Sequence, residues 1–518
     1  MPAAVKRLAK LSLPHLLLIA AGGVTTLAFA PYTLWWLPLL SVALLVFFLQ
    51  GATSAKQAAM RGFSFGVGWF GVGISWVHVS IAQFGGLPLA GSIGLMALLV
   101  GYLALFPAFT LWLSYRLRSP GFTPLLFAAC WTLAEWLRSV LLTGFPWLSM
   151  GYSQTEHGLS QFAPLIGETG ISFLLVFSAA ALAQLFCPQR APARYGYLLI
   201  AGLLFAMAPQ LSALKGWHYS DNAIDVVLVQ GNIKQDLRWA PEQEWPTMLK
   251  YMDLTRPHFQ TDLVIWPEAA IPQLEPLAES YLENLNRAAL YADTAVISGI
   301  LDYNFKTQQA WNNLIVLGKR QPDSTDGDYF YGHGNRYSKH HLLPIGEFVP
   351  FESWLRQLAP IFDLPMSSFT RGAYVQPNLV ANGYHLLPAI CFEIAFPAQI
   401  SANMTADTQL LLTVSNDAWF GDSIGPQQHL QIAQMRALEF GRPLLRATNN
   451  GVTATVDAAG KISARAAQFT ETVLQDSIRL TSGQTPYARF ADWPLWLCSG
   501  LLLLLFAIRA LLRWRKTG

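Results

Sequence analysis

Cys391 is the only cysteine in the stretch 213–490; Cys130, Cys187 and Cys498 fall in apolar runs. A lone thiol cannot staple its own domain, so it is either buried and inert or kept for reactivity. Its setting favours reactivity. Leu386-Leu387-Pro388-Ala389-Ile390 reads as a strand that delivers Cys391 into a turn, followed by Phe392-Glu393. A residue at such a point shows its side chain to a cleft while a backbone N–H points at a substrate oxygen. A thiol near its unperturbed pKa of about 8.5 is mostly protonated at neutral pH and needs a base or a cation. Leu263-Val264-Ile265-Trp266-Pro267-Glu268 reads as a strand with a glutamate at its tip, Pro267 ending the ladder. Arg336-Tyr337-Ser338-Lys339-His340-His341 places a lysine in a polar turn. Carboxylate, ammonium and thiol in one cleft would form a nucleophile with its base and an oxyanion partner. Spacing alone leaves open whether the three meet. His340, His341 and His429 read as non-catalytic, with a Cys–His pair as the rival assignment.

The elements that must position these residues belong to a chain of two characters. Of 518 residues 13% are charged, against about 25% in soluble domains. Residues 1–212 carry ten Lys/Arg and three Asp/Glu, whereas 213–490 carry 20 and 27. No Asp, Glu, Lys or Arg occurs over 11–55 or 62–115. Each stretch is long enough for two membrane spans of about 20 residues, broken at Pro31 and at Gly85-Gly86-Leu87-Pro88. Further spans are expected at 122–140, 166–187, 195–213 and 493–512. The expectation is therefore a membrane domain of seven transmembrane helices at 1–213, a catalytic domain at 214–490, and a last span with its tail at 491–518. Lys/Arg cluster before span 1 and after spans 2, 4, 6 and 8, which puts both termini in the cytoplasm and the large domain on the other side. Glu135 and Arg138, three apart in span 5, are as intramembrane charges a functional candidate; the favoured reading is a structural pair near the outer interface. The acidic balance of the large domain excludes a nucleic-acid partner.

Within that domain short β-branched runs alternate with helical patterns. Strands are expected at 224–229, 263–265, 295–300, 314–317, 386–390 and 410–414, with a hairpin at 453–456 and 461–464. Helices are expected around 243–254, 276–291 and 426–440. Long connections at 320–338 and 351–385 exceed ordinary loops. The second is apolar, consistent with either lipid contact or packing, and its part 351–370 is the candidate lid.

Trp266-Pro267-Glu268, Lys339 followed by Gly346-Glu347-Phe348, and Ile390-Cys391-Phe392-Glu393 resemble in this order the Glu–Lys–Cys series of the nitrilase superfamily. Together with the spans, Leu142-Thr143-Gly144-Phe145-Pro146-Trp147 and Ser415-Asn416-Asp417-Ala418-Trp419-Phe420-Gly421, the whole chain resembles the apolipoprotein N-acyltransferase family. One departure is visible: the residue after the cysteine is often Tyr in that family and is Phe392 here, so a hydroxyl is lost and the backbone N–H kept.

The resemblance implies an eight-span α-helical membrane bundle plus an α+β nitrilase-like α-β-β-α sandwich. It places the protein in a bacterial inner membrane with the catalytic domain periplasmic. It also implies two-step acyl transfer: a chain leaves a phospholipid donor, typically the sn-1 chain of phosphatidylethanolamine, for Cys391. The chain then passes to the α-amine of a diacylglyceryl-modified cysteine on an apolipoprotein acceptor. In this reading Glu268 is the base, and Lys339 with the N–H of Phe392 holds the oxyanion. Glu347 and Glu393 orient Lys339 or receive the amine, and Trp239 and Trp419, with Phe392, line an acyl groove unless they are core aromatics. No metal or other cofactor is needed, and a monomer suffices. The rivals are a membrane-tethered nitrilase-type amidase acting on a soluble amide, and a transporter or lipid-binding protein with a dead domain.

Overall fold

The computed structural model describes residues 3–84, 88–118, 123–186, 193–344, 346–348 and 369–517. The candidate lid, apart from Phe369 and Thr370, lies outside these residues, as do Cys187 and the Gly85–Leu87 turn. The chain divides into two compact units: Met1–Lys215 with Asp422–Gln431 and Arg489–Gly518, and Gly216–Gly421 with Ile432–Ala488.

The first unit is helical. Among the described residues four helical stretches are long and apolar enough to cross a membrane: Leu89–Leu117, Pro124–Thr143, Ser160–Phe186 and Trp493–Arg515. The expected count was eight. Leu13–Ala28, Leu37–Gln50 and Tyr195–Leu211 are apolar but shorter; Leu37–Gln50 is bounded by the turns at 26–36 and after Gln50. The helix Ala55–Gly73 is long enough, but Lys56, Gln57 and Arg61 beside five glycines lower its hydropathy. Those glycines set its packing. A Cβ on Gly68 would stand 1.9 Å from the Ile19 carbonyl oxygen, and one on Gly22 2.0 Å from that of Phe65. On another side Gly62 and Gly66 lie against the backbone of Pro107 and Ala104. Such close backbone approach lets these helices pack at short range.

The Glu135–Arg138 pair (3.9 Å) is buried in this unit and organises the 144–151 segment. Arg138 donates to the carbonyls of Phe145 (2.7 Å) and Trp147 (2.5 Å) and to Ser149 Oγ, while Glu135 accepts the N–H of Met150 (3.0 Å). Residues Asp422–Gln431 join this unit through two glutamines. Gln428 Oε1 accepts from the indoles of Trp147 (2.7 Å) and Trp76 (3.1 Å), and its amide donates to the Gly73 carbonyl; Gln431 accepts the N–H of Ala30.

The second unit is a two-sheet sandwich. Its strands are β1 (Trp217–Gln230), β2 (Leu263–Ile265), β3 (Ile271–Leu274), β4 (Ala295–Asn304), β5 (Gln309–Gly318), β6 (Arg336–Ser338), β7 (Leu379–Ala381), β8 (Tyr384–Ile390), β9 (Leu410–Ser415), β10 (Leu444–Thr448), β11 (Ala454–Val456), β12 (Ile462–Arg465) and β13 (Thr472–Gly483). One mixed sheet runs β13-β1-β2-β4-β5-β6, with β3 beside β4; the other runs β12-β11-β10-β9-β8-β7. Alternate residues of both sheets, among them Ile265, Ile297, Leu386, Leu412 and Ala447, form one core between them. The opposite side of the first sheet buries Val264, Val296 and Ile315 against Tyr251 of the helix Pro241–Thr255 and Leu285 of Glu279–Tyr291. Buried on both faces, β2, the 386–390 part of β8 and the 410–412 part of β9 read as apolar runs.

Candidate active site

Three parallel-paired strands end at the site. Beyond β2, Trp266 donates its N–H to Ile297 (2.8 Å), and Pro267-Glu268-Ala269 then turns across β4. The turn lies so close to β4 that a Cβ on Gly299 would stand 2.3 Å from the Ala269 nitrogen and 2.7 Å from Glu268 Cα. Beyond β8, Cys391 adopts φ +55° and opens a 3₁₀ turn, Cys391–Ala395. This left-handed elbow is one a β-carbon disfavours by about 1–3 kcal/mol. Beyond β9, the Asn416 N–H donates to Glu268 Oε2 (2.9 Å). Lys339 follows β6, tied on both sides: its N–H donates to the Asn312 carbonyl (2.8 Å), and its carbonyl accepts from Gly372 (2.9 Å).

Glu268, Lys339 and Cys391 converge. Lys339 Nζ lies 3.4 Å from Glu268 Oε1 and 2.7 Å from Glu347 Oε1. Asn312 donates one amide to both carboxylates, 2.8 Å to Glu268 and 3.3 Å to Glu347. Lys339 and Glu268 are buried, and Cys391 is half-buried within electrostatic reach of both. Burial works against the Lys339 charge, yet the Glu347 and Glu268 carboxylates raise its pKa above the ordinary lysine value. Burial likewise opposes ionisation of Glu268, but Lys339, the Asn312 amide, Arg238 and the Asn416 N–H together hold it below the usual carboxylate range. The thiol goes the other way: burial first, then the Glu268 charge, push Cys391 up to about 12. The resting site is thus an ion pair beside a neutral thiol. Attack by sulfur requires its proton to leave, and Glu268 is the ionised acceptor at hand.

Two profile models match the chain: the apolipoprotein N-acyltransferase N-terminal domain over residues 21–181 and carbon-nitrogen hydrolase over 226–486. The chain is 49% identical to an apolipoprotein N-acyltransferase of Shewanella oneidensis over 94% of each protein. It is 47% identical to one of Vibrio vulnificus over 96% of each. The chain belongs to the apolipoprotein N-acyltransferase family. It is accordingly an acyltransferase whose second unit has the carbon–nitrogen hydrolase fold. Among solved structures, Saccharomyces cerevisiae Nit3, a member of the nitrilase superfamily, aligns with TM-score 0.37 and 16% identity, covering 51% of this chain and 93% of its own.

The other residues that this family resemblance singled out separate into groups. Glu347 is bonded to Lys339 and also accepts the Leu343 N–H (2.8 Å). Glu393 makes no bond to Lys339. Instead it closes the elbow: Oε1 accepts the N–H groups of His340 (2.8 Å) and His341 (2.9 Å), and Oε2 accepts that of Ile390 (2.8 Å). Tyr337 and Gln399 complete its shell. Phe392 is buried with its ring against His341 and Phe396. That aromatic packing occupies the side chain, so the loss of a tyrosine hydroxyl leaves the elbow intact. Trp239 and Trp419 are 42% and 40% exposed, too open to be core aromatics. His429 packs on Trp147 in the helical unit, His340 bonds the Gly372 carbonyl, and His341 stacks on Phe396.

Several partners were missed by sequence reasoning. Asn312 interrupts β5 with Asn313, a polar pair inside an otherwise buried strand, which was a usable signal. Ser415 is hydrogen-bonded to Cys391 and donates to Asp417 (2.6 Å), which is paired with buried Arg446 (2.7 Å). Arg446 interrupts the fully buried strand β10, and nothing local marks the charge as buried. Among the described residues no cluster of His, Cys, Asp and Glu is placed to hold a metal ion.

Proposed function

We propose that the chain transfers a fatty acyl group from a phospholipid, typically the sn-1 chain of phosphatidylethanolamine, through a Cys391 thioester. The acceptor is the α-amine of a diacylglyceryl-modified cysteine at an apolipoprotein N-terminus. The observation that carries this reading is the convergence of a neutral thiol, an ionised Glu268 and a Lys339 ammonium inside a chain of this family.

In the first half-reaction Glu268 takes the Sγ proton as sulfur attacks the ester carbonyl carbon. Lys339 and the Phe392 N–H receive the developing oxyanion. Collapse breaks the ester C–O bond; Glu268 returns the proton to the leaving glycerol oxygen, and a lysophospholipid departs. In the second, a neutral amine attacks the thioester carbon, Glu268 takes its proton, and the C–S bond breaks with protonation of sulfur. Glu347 keeps Lys339 directed at the oxyanion, and Glu393 holds the elbow that presents Cys391.

Both substrates are lipid-anchored, which suits eight spans better than a simple tether. Lys/Arg at alternate connections support cytoplasmic termini and a periplasmic catalytic domain of an inner-membrane protein. The exposed faces of Trp239 and Trp419 suit an acyl chain, and one chain supplies every group named.

Intact-protein mass spectrometry after incubation with phosphatidylethanolamine and no acceptor tests the reading. The expected result is a mass increment of one acyl group, absent in Cys391→Ala and released by hydroxylamine. A folded wild-type protein without that increment would overturn it. Release of free fatty acid in place of an amide, once acceptor is added, would favour a hydrolase.

A further inference from the structure

Arg238 lies in the turn 235–239 that follows β1, and it is 6% exposed. A guanidinium is charged at every relevant pH and brings five donors, so its burial demands partners of some consequence. Here one nitrogen donates to the backbone carbonyls of Glu268 and Ala269, the latter at 2.5 Å. Both acceptors belong to the turn that presents the base. Ala269 has φ +43°, the left-handed region, so the turn adopts a conformation its residue does not favour alone. The same segment also reaches the base's side chain. Gln235 accepts the Asn416 amide (2.6 Å), and the Asn416 N–H donates to Glu268 Oε2. Next to Arg238, 5.6 Å from its guanidinium, stands the half-exposed Trp239 ring.

We propose that Arg238 is a positioning residue for the acyl-transfer base: it locks the Glu268–Ala269 turn from behind and sets a second positive charge, beside Lys339, on the Glu268 carboxylate. The inference rests on Glu268 acting as base in acyl transfer. The charged groups facing Glu268 are Lys339 from the segment after β6 and Arg238 from the turn after β1; the thiol of Cys391 faces it from the end of β8. Glu347 is paired with Lys339, Asp417 bears on the thiol, and Tyr251 of the helix Pro241–Thr255 faces Arg238. Removing Arg238 leaves one cation of the two. The carboxylate then binds its proton at higher pH, and the acid limb of the acyl-loading rate moves upward. A residue that served packing alone would lower the plateau and leave the limb in place.

The experiment uses the full chain in detergent micelles with phosphatidylethanolamine, reading the initial rate of acyl-adduct formation across the acid limb. Arg238→Met and Arg238→Gln remove the charge, the second keeping a donor for one carbonyl; Arg238→Lys keeps the charge. The expected result is an upward displacement of the limb by about one pH unit in the neutral variants, with Arg238→Lys close to wild type. A limb that coincides with wild type in either folded neutral variant would overturn the proposal, as would an equal displacement in Arg238→Lys. If both neutral variants fail to fold, Arg238 is a structural residue and the proposal falls. Absence of any adduct on wild type strikes at the acyltransferase reading instead.

Discussion

At the residue scale the site divides labour by charge state. Glu268→Gln cannot accept the thiol proton, and acyl loading should fall by about 10²–10⁴-fold. Thermal unfolding of that variant, measured in parallel, separates loss of the base from loss of the fold. The pH dependence has a definite sign. Because Cys391 is pushed up to about 12, loading should not rise as pH passes about 8.5, as it would for a free thiol. On the acid side Glu268 is held below the usual carboxylate range, so loading should persist until pH drops beneath it. The stability contributed by that carboxylate is present above its unfolded value and lost as pH falls through the folded one. Lys339 is raised, so its contribution is present below the unfolded lysine value and lost as pH rises through the folded one. Rates of acyl loading and thermal unfolding, each measured across pH, check both signs.

Among the elements, β4 is the one whose composition the base most depends on. Gly299→Ala would drive a methyl group into the Pro267–Ala269 turn. The expected cost is about 1–3 kcal/mol of stability, together with slower acyl loading, read by denaturant unfolding and intact mass in parallel. Much of this layer was legible in the sequence. β2, β8 and β9 are short apolar runs bounded by turn residues, and each leads to a site residue. β10 went unread because Arg446 breaks an apolar run that follows directly on a helix. β13 went unread because Gln475, Asp476, Ser477 and Arg479 make it polar, although its Ser477–Leu480 part alternates as a half-buried strand does. β6 and β7 are three residues long. At the site, residue types at strand tips announced Glu268, Lys339 and Cys391. Of the groups that hold them, Asn312 showed only as a polar break in β5 and Ser415 only inside a motif, because their bonds, like those of Arg238, join segments far apart in sequence.

For the whole molecule, the helical unit rests on glycine contacts and a few buried polar bonds. Gly68→Val would force the helices Ala3–Thr25 and Ala55–Gly73 apart at the Ile19 carbonyl. The expected outcome is a lower melting temperature in detergent and a poorer yield of folded protein; a variant as stable as wild type would show that the two helices do not need that close approach. Trp147 was legible as part of a motif, but its partner was not. Gln428, which gathers the indoles of Trp76 and Trp147, lies in a polar stretch of a predicted helix some 280 residues beyond Trp147, and no local pattern links them.

An enzyme that forms amides from a thioester keeps an amine of its own within reach of that thioester. Lys339 escapes self-inactivation because two carboxylates hold it as an ammonium without a lone pair to attack. Weakening that grip should make the enzyme poison itself. In Glu347→Gln, prolonged loading should build up an acyl mass that resists hydroxylamine and maps to Lys339 by peptide sequencing, while wild type carries only the labile adduct. On this view the lifetime of the catalyst, counted in turnovers, is set by Glu347 as much as its speed is set by Glu268.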